Sequence, residues 1–525
     1  MSAATRPRLL LFVVAYDAED TLTLVLSRIP GRIFAEYDCE VLVVDDASED
    51  RTFEVGRAYQ AACREIPIMV VRNAFNQGYG GSQKVGYTFA IERGFDVVAL
   101  LHGDGQYAPE ELPNLVAPLR DGRADVVLGS RMMTRFGALK GGMPLYKYVG
   151  NKVLTAVQNA VLRTNLSEFH SGYRVYSVAA LRDIAFQLNA NAFHFDTEII
   201  IQLLFAGRRI VELPIPTYYG TEISRVNGMR YAKDVTVATL QAAAHRSGIF
   251  FQRRYEPIRQ PPATAPFGAP FGAAYGAPHE LKLGYPSSHQ LALDAVPAGS
   301  RVLDIGAGAG GLARELTAKG CEVAVVDYSP VPDTPDTVRR FEQDLDDPPE
   351  FDVRAYDYLL MLDVIEHLRR PEQFLDRIRE RFDYTPRTLV LTTPNVAFVA
   401  QRLMLAFGQF NYGSAGILDR THTRLFTFRS LRRTLLDAGF RIQQMRGIPA
   451  PFPKALGPGT AGRAALALNQ VLIRASKSLF AYQIFVVAES TPSIRFVLQD
   501  SLSRSEERDG LDQQIAPTVP RRHIG

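Results

Sequence analysis

The sequence predicts an α/β protein built from two doubly wound domains, and three observations predict it. Short apolar runs alternate with helical patterns between residues 8 and 130. A stretch rich in Pro, Ala and Gly follows at Gln260–Glu280, and the strand–helix alternation restarts at Arg301. Strands separated by helices imply parallel crossovers and a sheet covered on both faces. At 525 residues the chain is also too long for a single core. The expected divisions are a first domain at 1–258, a linker at 259–280, a second domain at 281–490 and a tail at 491–525. The linker reading rests on Pro content and low complexity. The tail is expected to be disordered because Asp500–Gly525 is charged and polar with few large apolar residues.

The strands of the first domain are expected at Leu9–Ala15, Val41–Val44, Ile68–Val71, Val97–Leu101 and Val126–Leu128. Between them, Thr52–Arg64 and Pro109–Arg120 carry apolar residues at three- and four-residue spacing, as helices do. In the second domain, strands are expected from Arg301 and at Val323–Val326, Tyr358–Leu362 and Leu389–Leu391. In such sheets ligands gather beyond the carboxyl ends of the strands, so the residues just after each run carry the chemistry.

A formal net charge of +3 supplies no bulk attraction for nucleic acid, and none is expected as a partner. Cys39, Cys63 and Cys321 are far apart without metal-ligand spacing. They read as buried reduced thiols with no disulfide, in a reducing compartment. The first apolar run is too quickly broken for a signal peptide. No window reaches the roughly 18–20 apolar residues of a membrane span. A cytoplasmic protein is expected, with peripheral contact at the inner face of the membrane.

Each strand end in the first half is polar. Strand one leads into Ala15-Tyr16-Asp17-Ala18-Glu19, and strand two ends in Asp45-Asp46. Strand three leads to Asn73 and then Asn76-Gln77-Gly78-Tyr79-Gly80-Gly81. Strand four ends in His102-Gly103-Asp104-Gly105-Gln106. Taken singly, an Asp pair is a helix cap and a Gly cluster a turn. Four such ends along one sheet edge point to a ligand pocket.

The order VVAYDAEDTL, VVDDASEDRT, NQGYGGS, LHGDGQYAPEEL, GSR and SGYRVY resembles the family-2 glycosyltransferases of the GT-A fold. The similarity runs over roughly residues 8 to 230 and is greatest to the branch of polyprenyl-phosphate mannose and glucose synthases. It implies that Asp17, Glu19, Asp45 and Asp46 line the pocket of a UDP- or GDP-linked sugar. It also implies that Asp104, with Gln106, binds Mg²⁺ or Mn²⁺ bridging the diphosphate, an ion that neutralises the departing nucleotide. The family's acidic motif would place a carboxylate where this chain has His102. Imidazole is a poor Mg²⁺ ligand and an acceptable Mn²⁺ one. The resemblance sets Arg131, Arg174 and Arg225 around a lipid phosphate, with Glu168 where relatives carry Asp. A phosphate acceptor is already anionic and needs cations more than a base. Met143–Arg163, with helical apolar spacing and interleaved Tyr and Lys, reads either as an interfacial helix or as one packed on its own domain.

In the second half, Arg301–Gly311 combines a strand, a Gly-rich turn and a helix start. Asp304 precedes the first glycine, where a methionine ammonium would sit. The next strand ends at Asp327, suited to ribose hydroxyls. FEQDLDD supplies Asp344, and YDYLLMLDVIEHLRRPEQFL supplies Asp363, Glu366 and His367. The run from LDIGAGAGG through VVDYSP to LDVIEHL resembles class I S-adenosylmethionine-dependent methyltransferases, a Rossmann-like fold, close to the ubiquinone-type O-methyltransferases. That resemblance implies a donor pocket of Asp304, Gly306, Gly308, Asp327 and Asp344, with Asp363 nearby. Methyl transfer to a hydroxyl would also need a base; His367 is the first candidate and His422 the second.

The sequence therefore predicts a bifunctional transferase. One domain would pass a sugar from a nucleotide sugar to a polyprenyl phosphate or related envelope glycan acceptor. The other would methylate a small-molecule or saccharide acceptor with S-adenosylmethionine. Two alternatives stand beside it: a glycosyltransferase with a donor-binding regulatory domain, and a non-catalytic scaffold for envelope glycan synthesis.

Overall fold

The computed structural model describes residues 6–515 apart from 135, 218–226, 247–251, 259–280, 333, 414–415 and 453–458. The expected linker, 259–280, therefore lies outside the described residues, as does Arg225. The chain forms two compact units, Met1–Ala263 with Val497–Gly525, and Thr264–Phe496.

The first unit is built on β1 (Arg8–Ala15), β2 (Asp38–Asp45), β3 (Ile68–Arg72), β4 (Val97–His102), β5 (Val126–Ser130), β6 (Arg174–Ser177) and β7 (Ile210–Pro214). Their order in the sheet is β3-β2-β1-β4-β6-β5-β7. β1 pairs in parallel with β2 and β4, and is apolar from Leu9 to Ala15 because helices cover both faces. Gly86 lets the helix Tyr79–Glu92 lie directly on β1: a Cβ there would stand 2.2 Å from the Phe12 ring.

The sheet is mixed where a parallel one was expected, because β6 runs antiparallel to both β4 and β5. The reason is local. The segment between β5 and β6 stays at the carboxyl edge, where Glu168 bonds Arg131. β6 must then enter the sheet from that edge, with Arg174 beside Leu100.

The second unit contains β8 (Arg301–Ile305), β9 (Glu322–Asp327), β10 (Arg339–Glu342), β11 (Tyr358–Leu362), β12 (Thr388–Pro394), β13 (Phe440–Ile448) and β14 (Gln483–Ser490). Their order is β10-β9-β8-β11-β12-β14-β13. β14 again runs antiparallel to its neighbours. Both units are thus α/β with seven-stranded mixed sheets, and each sheet places its polar strand ends on one edge.

The expected disordered tail is corrected over its first part. Ile494–Ile515 is a helix, and from Val497 onward it belongs to the first unit. Val497, Leu498, Ser501 and Ser505 are buried, a helical stripe that the surrounding charges conceal in the sequence. Residues 516–525 lie outside the described ones. Cys39 and Cys321 are buried as expected, and burial pushes the Cys39 thiol up to about 12; Cys63 is only half-buried. Among the described residues, no helix is long and apolar enough to cross a membrane.

Candidate active sites at the carboxyl edges of the two sheets

After β1 the backbone turns through a left-handed Asp17 (φ 47°). The Asp17 amide donates to Ser48 Oγ (2.9 Å), and its Oδ1 accepts from the Glu49 amide (3.0 Å). Glu19 Oε2 accepts from the Arg51 amide (3.0 Å), and the Glu19 amide donates to Asp50 (3.1 Å). These acids thus clamp the loop after β1 to the loop after β2. Asp50, which the sequence reading passed over, closes the clamp by capping Thr52 (2.9 Å).

Asp45 and Asp46 are both buried. Asp45 accepts from the Ser48 amide (3.1 Å) and lies 3.3 Å from Arg72 Nε. Asp46 accepts from Asn73 Nδ2 (2.8 Å) and from the amides of Gln77 (2.8 Å) and Gly78 (2.9 Å), and so anchors the Gly-rich loop. Burial raises both carboxyls above the usual range despite these bonds.

His102 ends β4 with its Nε2 3.2 Å from the Tyr79 hydroxyl. Its ring is wedged edge-on against Tyr79 and Tyr107, and burial lowers its pKa, keeping the imidazole neutral. Asp104 is exposed at the mouth, where its Oδ1 caps the Gln106 amide (3.0 Å). The acidic position of the expected metal motif is thus taken by a histidine committed to an aromatic cage. A divalent ion here would take Asp104 from the chain, with Gln106 beside it, and the diphosphate oxygens from the donor. That is an arrangement Mg²⁺ tolerates well.

Arg131 and Glu168 form a buried pair. Arg131 donates to Glu168 from its amide (2.7 Å), from Nε (3.0 Å) and from a terminal nitrogen. Asn151 Nδ2 adds a further bond to Glu168 (2.8 Å). Burial would raise Glu168, but the Arg131 charge and these donors outweigh it and hold the carboxyl low. Arg174 is fully buried. It donates to the carbonyls of Ser171 (2.7 Å), Phe169 (3.0 Å) and Asp196 (2.7 Å), and pairs with Asp196 at 3.5 Å. The expectation that Arg174 faces a ligand is corrected, because its donors brace the turn before β6. Asp196 was missed in the sequence. It also accepts from Tyr79 (2.9 Å) and Gln83 (3.1 Å), and its signal was the lone acid in the aromatic run AFHFD.

In the second unit, β8 delivers Asp304 and the glycine turn. Gly306 and Gly308 have positive φ (79° and 56°). A Cβ on Gly306 would meet Val364 at 2.4 Å, whereas one on Gly308 would meet nothing within 4 Å. Gly308 therefore borders open space. Its amide donates to Asp327 Oδ2 (2.8 Å), tying the turn to the end of β9. Asp304 is buried, and burial, with Asp327 nearby, pushes its carboxyl up to about 7.

Asp344 caps the Asp346 amide (2.9 Å) just beyond β10. Asp363, left-handed at φ 57°, accepts from Thr392 (2.9 Å) and Gln483 (2.9 Å). Glu366 is buried; burial, then the Asp363 charge, raises it well above the usual range. His367 lies 4.8 Å from His422, ring centre to ring centre, and burial lowers its pKa.

The two sheets thus each carry polar strand ends, one with buried carboxylate–arginine pairs and the other with a glycine turn, where α/β folds place their ligands. Residues 11–185 match the family model for glycosyl transferase family 2, and residues 279–445 match that of a methyltransferase domain. The chain belongs to glycosyltransferase family 2 and carries a methyltransferase domain in its second half, which implies S-adenosylmethionine as the methyl donor.

Among similar proteins is the undecaprenyl-phosphate mannosyltransferase of Micrococcus luteus, 30% identical over 40% of this chain and 82% of that protein. The UDP-N-acetylglucosamine–dolichyl-phosphate N-acetylglucosaminyltransferase of Methanococcus voltae is 27% identical over 42% and 88%. The polyprenol monophosphomannose synthase of Mycolicibacterium smegmatis is 26% identical over 41% and 79%.

Proposed function

We propose that the first unit transfers a sugar from a UDP- or GDP-linked donor to a polyprenyl phosphate at a membrane surface, and that the second methylates an oxygen of a small-molecule or saccharide acceptor. The lipid acceptor is supported by names shared among the relatives and, above all, by the helix Leu145–Leu162. Part of that helix turns apolar side chains outward. Tyr146, Val149 and Val153 are 74%, 50% and 56% exposed, while Thr155 and Gln158 are buried. A soluble surface helix distributes these residues the other way round. An apolar stripe turned outward suits the headgroup–acyl boundary of a bilayer.

The same helix supplies Asn151 to the Arg131–Glu168 pair, so its docking would bring a lipid phosphate towards that pair. In this reading Asp17, Glu19, Asp45 and Asp46 shape the nucleotide pocket and Asp104 holds the ion. Arg131, Glu168 and Arg174 act as positioning residues, and Arg225 as a phosphate contact. Asp304, Asp327, Asp344 and the glycines Gly306 and Gly308 form the methyl-donor pocket, with Asp363 at its edge.

The test is transfer of labelled hexose from UDP- and GDP-sugars to polyprenyl phosphate in vesicles. Asp104→Asn should lower it by roughly 10²–10³-fold, the scale of losing one preorganised contact to developing charge. S-adenosylmethionine binding should be unchanged. Near-normal transfer by the variant would refute the ion assignment. Val149→Glu/Val153→Glu should abolish vesicle sedimentation at low salt; retained sedimentation would refute the interfacial helix.

A further inference from the structure

β7 carries one acid in an apolar run, Ile210-Val211-Glu212-Leu213-Pro214. Val211 and Leu213 pack on the core of the first unit, so the pleat sends Glu212 to the other face. There it is half-buried and takes three hydrogen bonds from two successive residues. Oε2 accepts from the Ser167 amide (2.7 Å), and Oε1 accepts from Ser167 Oγ (2.6 Å) and from the Glu168 amide (3.0 Å). These donors belong to the segment 163–173, which lies between the helix Leu145–Leu162 and β6 and forms neither helix nor strand. Glu212 has no part in the nucleotide pocket described above.

From Glu212 the hydrogen bonds continue to Arg131, and their direction is fixed. A carboxylate only accepts, so the Ser167 hydroxyl proton is committed to Glu212. In the 2.6 Å contact between Ser130 Oγ and Ser167 Oγ, Ser130 is therefore the donor. Ser130 Oγ in turn accepts from the Met132 amide (3.1 Å). The chain from Met132 through Ser130 and Ser167 to Glu212 thus takes in both residues that flank Arg131 and the one that precedes Glu168. The Glu168 amide reaches the same carboxylate directly. Both partners of the buried Arg131–Glu168 pair are held by one acceptor, and hydrogen bonds to an ionised group are roughly twice as strong as neutral ones.

We propose that Glu212 is a positioning residue for the acceptor side of sugar transfer: it fixes the Arg131–Glu168 pair where an anionic acceptor meets it, and acts only through that pair. The consequence for a polyprenyl phosphate rests on the acceptor reading above; the clamp itself does not. A group displaced by about 1 Å from its productive place can cost a large factor in rate, so a clamp on the pair bears on the acceptor. Glu212→Gln would turn an amide NH₂ towards at least one of the three donors, and one arm of the clamp would open. The nucleotide pocket is held by separate bonds, those of Asp17, Asp45 and Asp46 with their own loops. Donor binding is therefore insulated from Glu212. General weakening of the fold would instead affect both substrates.

The experiment compares the full chain with its Glu212→Gln variant in two measurements. The first is KM for each substrate in the transfer of labelled hexose to polyprenyl phosphate in vesicles. KM for polyprenyl phosphate should rise about tenfold, the effect of one lost hydrogen bond to a charged group, with KM for the nucleotide sugar within about twofold of the parent. The second is hydrogen exchange read by mass spectrometry. Exchange should quicken by about tenfold or more in peptides covering 130–132 and 167–168, and stay unchanged in those covering 77–78. Ser167→Ala cuts only the hydroxyl arm and should raise KM for polyprenyl phosphate about threefold; added to Glu212→Gln it should contribute less than that. Equal rises in both KM values, or exchange quickened across the whole first unit, would reduce Glu212 to support of the fold and overturn the proposal. So would an unchanged KM for polyprenyl phosphate in a folded variant, whatever its exchange. If Glu212→Gln fails to fold, Ser167→Ala is judged by the same criteria at its smaller size. A parent chain that transfers nothing to polyprenyl phosphate would sink the acceptor reading, and the exchange pattern alone then decides the clamp.

Discussion

The acidic residues at the two sheet edges are held in different ways. In the first unit they are spent: Asp46 accepts three hydrogen bonds from its own chain, and Asp17 and Glu19 hold the next loop. In the second unit, Asp304 and Glu366 are buried without comparable donors; burial raises them, as it raises Asp45 and Asp46, but fewer hydrogen bonds oppose it. A carboxylate already satisfied shapes a pocket whether or not a ligand is present. A buried carboxyl lacking donors stores a desolvation cost that a cationic ligand relieves. The first edge is thus braced by its own acids, whereas the buried carboxyls of the second have fewer partners within the chain.

Asp304 offers the largest effect with which to break this comparison. Its carboxyl sits at about 7 in the free protein, and the proposed ammonium of the donor needs it ionised. Donor affinity should therefore be flat above pH 7 and fall about tenfold per pH unit below it, since each binding event must first release a proton. The sign for stability is opposite. With the folded-state pKa raised, the donor-free unit loses stability as pH climbs from the usual carboxylate range to about 7, and stays lower above. Calorimetric titration from pH 5 to 9 would reveal both. Asp304→Asn should weaken binding at pH 8 and remove the slope; a slope retained by the variant would assign the titration elsewhere.

For the first pocket the matching substitution is Asp46→Asn. An amide would turn a donor towards the Asn73, Gln77 and Gly78 N–H groups. Leaving such a buried group unpaired costs about 2–3 kcal/mol. Chemical denaturation should register that loss, with weakened nucleotide-sugar binding following from the displaced loop. A variant of normal stability but no nucleotide affinity would mean that Asp46 meets the ligand directly, and the contrast between spent and waiting acids would fall.

The glycine turn sharpens the contrast on a smaller scale. Gly306→Ala collides with Val364 and should destabilise the second unit. Gly308→Ala meets no protein atom and costs only the left-handed backbone, about 1–2 kcal/mol. It should fold and lose donor affinity. The two melting temperatures and two donor affinities check the pair; equal destabilisation would show that Gly308 does not face the donor.

The positions of the central strands and their polar ends were legible in the sequence because buried parallel strands read as unbroken apolar runs, as in Leu9–Ala15. What was hidden was direction and cost. β6 is RVYS, too short to announce itself, and its antiparallel course depends on an excursion that only tertiary contacts define. Arg174 looked like a phosphate ligand from its residue type. Only its three carbonyl partners show a brace. His422 was visible as a histidine, but its place beside His367 depends on a loop folding back over more than fifty positions of chain.

The C-terminal helix carries the smallest predicted effect, and it concerns how the first pocket is kept preformed. Ser501 Oγ lies 3.2 Å from Asn73 Oδ1, and the Asn73 amide nitrogen bonds Asp46. Ser501 Oγ also lies 2.9 Å from the Val497 carbonyl. One hydroxyl proton is shared between these two acceptors, so the link to Asn73 is partial. Ser501→Ala should therefore destabilise the first unit by no more than about 1 kcal/mol. Nucleotide-sugar affinity should weaken by less than about fivefold, the factor that 1 kcal/mol corresponds to. Removing residues 497–525 should do more, because it also exposes the apolar surface that Val497 and Leu498 cover. A fragment ending at 262 lacks this helix and should melt below the full chain's first transition, while adding the 494–515 peptide in trans should restore part of the difference. If the truncated chain keeps full stability and affinity, the helix does not support Asn73, and Asp46 is held by the loop donors alone.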